Sequence, residues 1–324
     1  MNKEPILSPE NNRIRLYPII YQDIWNLYKD AFAAFWIPEE ISLLDDIKDW
    51  NSDKLDEEEK RFILIVLSFF SASDFIVNEN LDNNFCEQIT IPEYKMLIHF
   101  QEMIEDVHSQ VYQTLIQTLV QDENKRDELF NGIKHFKSIK KKADWARKWI
   151  NEGDFVQRLV AFTCVEGIFF SGSFCSIFWL KKKGLMPGLC QSNELIARDE
   201  GMHRDTGCLI YRNYIVNKLS NETVKEIIRE AVNVEFEFVE ECLPYKLKGM
   251  NSDLMKQYIQ FVADHLSDSL IEEKIYNVDN PFPWMDLISL EGKKNFFEKK
   301  VSQYAKQSVI TSKEESEIRF DTDF

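Results

Sequence analysis

Residues 159–180 read LVAFTCVEGIFFSGSFCSIFWL, an apolar run broken near its middle by a single carboxylate, Glu166. An ionised carboxylate moved unpaired from water into an apolar helix bundle costs several kcal/mol, comparable with the whole stability of a domain. Any fold of this chain must therefore neutralise Glu166, pair it, or bind a cation to it. The run is long enough to span a bilayer, and Lys181, Lys182 and Lys183 follow it as an interfacial anchor would. Against that reading stand Glu166 itself, two glycines, four serines or threonines and the want of a companion span. A buried core helix is the expectation.

Composition points the same way. Ten glycines and nine prolines in 324 residues are too few for the many turns of a sheet protein, so an all-α fold is expected. The formal charge of −16 repels phosphate backbones and anionic lipid, which sets aside nucleic-acid and membrane-surface binding as main activities. Six cysteines at irregular distances, with no Cys-x-x-Cys pair, read as reduced core residues of an intracellular protein. The N-terminal MNKEPILSPENNRIRLYP shows no secretory signal or transit peptide, so a cytoplasmic location is expected.

Helical periodicity runs through residues 21–35, 62–81, 94–120, 192–217, 223–243 and 252–270, with Pro92 at one start, polar residues Thr223 and Ser252 at two others and Gly184 at a stop. Pro38-Glu39-Glu40 reads as a turn or helix start. The basic run 137–142 reads as a solvated connection. From Ala305 the composition becomes polar, and residues 305–324 read as a flexible tail whose aromatic end, Phe320 to Phe324, suits a docking peptide. The expected organisation is an N-terminal arm over 1–20, a helical domain over 21–304 and the tail.

Only five histidines occur, and two of them close a Glu-x-x-His: Glu105 with His108, and Glu200 with His203. Positions three apart share a helix face, so each pair can aim an oxygen and a nitrogen at one point. Each pair also follows an apolar helix carrying an isolated carboxylate: Asp74 lies 31 residues before Glu105, and Glu166 lies 34 before Glu200. At about 1.5 Å per residue, some thirty residues lead along one helix, around a turn and back to the same depth. Two such hairpins bring four carboxylates and two imidazoles to one level of a four-helix bundle, the ferritin-like dinuclear pattern with Asp74 in place of a glutamate. Two divalent cations would neutralise the four carboxylates, and a donor set of oxygen and imidazole without thiolate suits iron or manganese. Tyr112, one turn beyond His108 on the same face, reads by periodicity as a core tyrosine, and position does not decide its role.

The strings FFSASDFIVNENL, EDVHSQVY, VEGIFFSGSFCSIFWLKKKGLMPGL, SNELIARDEGMH, KKKADWARKWI and NPFPWMDLISLEGKKNFFEKKVSQY closely resemble the small, radical-generating subunit of class I ribonucleotide reductases, from about Asn12 to Tyr304 and again in the terminal FDTDF. The resemblance implies that Asp74, Glu105, His108, Glu166, Glu200 and His203 ligate two iron ions. It implies that reaction with O2 oxidises Tyr112 to a stable radical, with Phe170, Phe174 and Ile196 forming the apolar pocket around it. Trp36, His108 and Asp199, continued by Tyr304, match the family's route for electron and proton transfer toward the large subunit. The tail, Arg319 to Phe324, matches the peptide that docks on that subunit, where ribonucleoside diphosphates are reduced for DNA precursor synthesis. A homodimer is implied as well. The sequence departs from its relatives at AAFW before Trp36, at Phe75 where glycine is common, and through KMLIHFQEM just before Glu105, none of which is a proposed ligand. An iron-storage protein would share the ligands but leave Trp36, Asp199 and Tyr304 unexplained; a metal-free paralogue would not keep all six ligand positions.

Overall fold

The computed structural model describes residues 4–242 and 250–282, together with Met285. The chain divides into Met1–Phe282 and Pro283–Phe324, and the helices below all belong to the first unit. They are α1 (Gln22–Ala33), α2 (Leu44–Trp50), α3 (Glu57–Asn80), α4 (Pro92–Leu119), α5 (Glu123–Phe130), α6 (Gly132–His135), α7 (Lys137–Glu152), α8 (Phe155–Cys164), α9 (Ser171–Lys183), α10 (Pro187–Tyr214), α11 (Asn221–Cys242) and α12 (Ser252–Ile271). Two π-helical turns, Leu81–Cys86 and Val165–Phe169, extend α3 and join α8 to α9. No strand occurs among the described residues, and the fold is the all-α one that composition predicts, with the ferritin-like bundle expected from the repeated carboxylate and Glu-x-x-His spacing.

Local chemistry sets the helix ends. Asp56 opens α3 with a reciprocal capping box: its Oδ1 accepts from the Glu59 amide at 2.8 Å while Glu59 Oε2 accepts from the Asp56 amide at 3.1 Å. Asp154 and Gln157 open α8 in the same way. Pro92 and Pro187 stand at the starts of α4 and α10, where a missing amide hydrogen costs nothing. The α10 start is completed by Asp46 of α2, whose oxygens accept from the Gly188 and Leu189 amides at 2.7 and 2.8 Å. Gly184, at φ 69°, ends α9 in the left-handed conformation, and the Leu185 amide returns to the Leu180 carbonyl at 3.1 Å. Periodicity therefore placed α3 and α10 about five residues late, because α3 opens on charged residues and α10 opens on Pro187 and Gly188, which read as a helix stop.

The core lies between α3, α4, the α8–α9 helix and α10, with α11 and α12 packed on the α8–α9 side and α1 on α4. Two helices, Glu57–Cys86 and Phe155–Lys183, are long and apolar enough to cross a membrane by length and composition. The apolar window of the second is 94% buried inside the protein and that of the first 67%, as core helices of a bundle are. The expectation of no companion to the 159–180 run is thus corrected: Glu57–Cys86 passes the same test. The cysteines are free thiols, five of them buried.

The reading of residues 137–142 as a solvated connection is also overturned. They begin α7, and Lys142 is 2% exposed. Ile139, Lys142, Ala143 and Ala146 form one buried stripe at helical spacing. A run of like charges hid that stripe.

Candidate metal centre

Each of the four core helices delivers a carboxylate to one interior level: Asp74 from α3, Glu105 from α4, Glu166 from the π turn and Glu200 from α10. His108 and His203 come from the turn after Glu105 and Glu200, and all six side chains are buried. Ligand atoms of Glu105, Glu166, Glu200 and His203 lie within 4.8 Å of one another, a group that could hold a cation. His203 Nδ1 is 2.9 Å from Glu105 Oε1, 3.0 Å from Glu200 Oε2 and 3.9 Å from Glu166 Oε2. His108 Nδ1 is 3.1 Å from Glu200 Oε1 and 3.4 Å from Glu105 Oε2, which joins the second histidine to the same cluster.

The hydrogen bonding of these atoms shows what the cluster suits. Asp74 Oδ2, both oxygens of Glu105, Glu166 Oε2 and His108 Nδ1 are buried without a hydrogen-bond partner. Buried acceptors in native proteins are almost always satisfied. Four carboxylates facing one another with only two imidazoles among them suit a cation, so the residues present fit a metal site.

The electrostatics agree. Burial, then the neighbouring carboxylates, push Asp74 and Glu166 well above the ordinary carboxyl range. Burial would lower His203, but Glu105 and Glu200 outweigh it and raise the imidazole to about 10. Burial likewise lowers His108, but its contact with Asp199 and the adjacent Glu105 and Glu200 carboxylates outweigh it and hold the imidazole well above its ordinary range. Protein groups alone can quiet this much negative charge only by taking up protons; a divalent cation does so without them.

Around the cluster stand residues that hold it. Gln101 Nε2 donates to Glu166 Oε1 at 3.1 Å, and Ser73 Oγ donates to Asp74 Oδ1 at 3.3 Å. Asp199 Oδ2 lies between the Trp36 Nε1–H, which donates to it at 2.8 Å, and His108 Nε2 at 3.2 Å. The Trp36 and His108 rings are 6.1 Å apart and nearly parallel, at 24°. Arg198 donates through Nε and Nη2 to Asp199 Oδ1 and through Nη2 to the Ala34 carbonyl at 2.7 Å, tying α10 to the segment that carries Trp36. Burial raises Asp199, yet its bond with His108 and the Arg198 charge hold it below the ordinary range, so it stays an acceptor.

Tyr112 is 1% exposed and stacks on Phe70 with centroids 4.4 Å apart and planes at 8°. Phe70 in turn touches Phe174 and Phe170 at 5.3 and 5.9 Å. Ile196 is buried on α10, one turn before Glu200. Sequence reasoning missed Phe70, Gln101 and Arg198. Phe70 and Gln101 each stand four residues before a carboxylate, Asp74 and Glu105, so helical spacing was a signal for both. Arg198 had none beyond its place beside Asp199. Tyr304 and the tail from Arg319 to Phe324 lie outside the described residues.

The chain is similar to known proteins along nearly its whole length. The chain is 54% identical over 322 residues to the ribonucleoside-diphosphate reductase small chain of vaccinia virus (strain Ankara), covering 99% of this chain and 100% of that protein. It is 50% identical over 326 residues to ribonucleoside-diphosphate reductase subunit M2 of Danio rerio, covering 100% of this chain and 84% of that one. The ribonucleotide reductase Rnr4 homodimer from Saccharomyces cerevisiae superimposes with a TM-score of 0.77 at 35% identity, over 93% of each chain. The sequence model of the family described as "Ribonucleotide reductase, small chain" matches residues 13–281, and the chain belongs to that family, as the small subunit of an oxidoreductase.

Proposed function

We propose that Asp74, Glu105, His108, Glu166, Glu200 and His203 hold two iron ions, and that the protein uses them with O2 to make a radical on Tyr112 that the large subunit consumes in reducing ribonucleoside diphosphates. The observation that carries this reading is the juxtaposition of partnerless buried acceptors with a buried, apolar-walled phenol one helical turn away. When bound, the metal pair would supply the oxidising power that dioxygen brings; manganese shares the ligand preferences.

The chain's own residues do the rest. Burial, and then Asp74 and Glu200, hold the Tyr112 phenol well above its ordinary pKa, so it is protonated at neutral pH and must lose a proton with its electron. Phe70 covers one face of its ring, and with Phe170 and Phe174 keeps water from the oxidised phenol. His108 presents Nδ1 to the carboxylates and Nε2 to Asp199, which is how a second partner fixes the tautomer of a ligating histidine. Through Asp199 the same chain reaches the Trp36 indole, an oxidisable ring with its N–H already bonded to a proton acceptor. That connection favours radical transfer over iron storage, which needs no such link. Tyr304 continues the route, and the tail from Arg319 to Phe324 docks on the large subunit.

Two chains pair in this reading. Phe32 and Phe35, both exposed, pack against Phe100 of α4, while Phe75 and Met103 stand exposed on α3 and α4. Exposed apolar side chains of this size suit burial against a second copy. A cytoplasmic site of action follows from the reduced thiols and the substrate.

Low-temperature electron paramagnetic resonance tests the reading, on the full chain loaded anaerobically with iron(II), exposed to air, and compared with Tyr112→Phe. A tyrosyl signal present in the wild type and absent from the variant is expected. Full iron occupancy without a signal would refute it.

A further inference from the structure

Lys142 of α7 and Glu235 of α11 are both buried, with Nζ 2.5 Å from Glu235 Oε2. The Phe69 and Phe238 rings close over the ammonium, each centroid 3.7 Å from Nζ. A buried ion pair is a weak source of stability, because desolvation of both charges offsets their attraction. Its presence in an otherwise apolar layer asks for another explanation, and its contacts supply one.

Lys142 Nζ also donates to the Phe169 carbonyl at 2.7 Å. Phe169 is the last residue of the π turn Val165–Phe169, the turn that carries Glu166, and regular α-helix resumes at Ser171. Where a ladder of i→i+5 bonds gives way to i→i+4, backbone groups need partners from outside the ladder. Here side chains provide them: Lys142 takes the Phe169 carbonyl, and the Ser171 hydroxyl takes the Ile168 carbonyl at 2.7 Å. On the far side of the changeover Glu235 presses against the first turn of α9. A Cβ added at Gly172 would come within 2.7 Å of its Oε1, so only glycine leaves room for the carboxylate there. The pair thus touches the helix on both sides of the point where its register changes, three residues after Glu166.

We propose that the Lys142–Glu235 pair is a positioning device for Glu166: it fixes where the π turn ends, and so holds the Glu166 carboxylate toward Glu105, Glu200 and His203. The inference rests on the reading of Glu166 as a cation ligand. Lys142 and Glu235 are positioning residues and touch no reacting atom.

The test uses the metal-free full chain titrated with cobalt(II) alone, followed by visible absorption and calorimetry, with urea denaturation of each apo protein as the measure of folding. The double variant Lys142→Met/Glu235→Met removes both charges together and leaves neither uncompensated in the core. It is expected to keep an apo denaturation midpoint near that of the wild type, yet to bind one of two cobalt ions about 10- to 100-fold more weakly, with an altered spectrum for that ion. Gly172→Ala keeps both charges and displaces the same junction, and is expected to weaken the same ion. Glu166→Ala marks which ion that is. Wild-type affinity and spectrum in both the double variant and Gly172→Ala would overturn the positioning role while leaving Glu166 a ligand. Failure of the wild type to bind cobalt, or unchanged binding in Glu166→Ala, would overturn the ligand reading and this inference with it.

Discussion

Replacing Tyr112 by phenylalanine has two consequences of opposite sign, and the structure sets the size of one of them. The Tyr112 hydroxyl is buried without a hydrogen-bond partner. Holding a hydroxyl in that state costs about 1–3 kcal/mol relative to water. Phenylalanine keeps the ring and its 4.4 Å stack on Phe70, so no cavity opens to offset the gain. The metal-free Tyr112→Phe chain is therefore expected to be more stable than the wild type by up to about that amount. Urea denaturation of both apo proteins, read by circular dichroism, measures the difference without involving the cofactor. Loaded with iron and exposed to air, the same variant should hold as much metal as the wild type and give no tyrosyl signal. A gain in stability with a loss of radical is a combination that ordinary damage to a core does not produce. Destabilisation by about 1 kcal/mol or more would show that the hydroxyl is bonded in solution and refute the reasoning from burial.

Glu166→Ala should lower metal occupancy to about one ion per chain, since the other carboxylates remain; full occupancy by elemental analysis would contradict its role. Trp36→Phe removes the indole N–H that donates to Asp199 at 2.8 Å. It should leave the Tyr112 signal intact while cutting ribonucleotide reduction with the large subunit by at least about 100-fold, and normal turnover would take Trp36 out of the transfer route. Deleting Arg319 to Phe324 should spare the radical and abolish binding to the large subunit in a calorimetric titration; unchanged affinity would sink the docking assignment.

The clustering of the six residues proposed as ligands was legible because the chain states the same arithmetic twice: a carboxylate in an apolar helix, then a Glu-x-x-His some thirty residues on. Helix rise converts that spacing into depth, and the structure brings Asp74, Glu105, Glu166 and Glu200 to one level with both histidines. Trp36 was legible only through resemblance, since 163 residues separate it from the Asp199 it bonds, and no periodicity reaches across that distance. Lys142 was misread for a different reason. Charge was weighed over a local run, whereas burial follows the helical stripe, and Lys142 shares its stripe with Ile139, Ala143 and Ala146 while Lys140 and Lys141 face outward.

The two halves of the site match in sequence arithmetic and differ in backbone. Asp74 stands on regular α-helix, with the π turn of its hairpin beginning seven residues later at Leu81. Glu166 stands inside a π turn, where the extra residue per turn rotates its side chain relative to a regular helix. The carboxylates differ too, Asp74 being one methylene shorter than Glu166. A shorter arm on the regular helix and a longer one on the displaced turn reach the same cluster. A π turn is less favourable than the α-helix it interrupts, so left alone it would relax and carry Glu166 with it. Regular helix needs no outside support to aim Asp74, whose side-chain hydrogen-bond partner among the described residues is the adjacent Ser73. The π turn is supported from α7 by Lys142, itself paired with Glu235 of α11, and from α4 by Gln101, which lies four residues before Glu105. The external ties are concentrated on the half whose backbone does not hold its ligand by itself. Substitutions around Glu166 should accordingly disturb cation binding more than equivalent changes around Asp74.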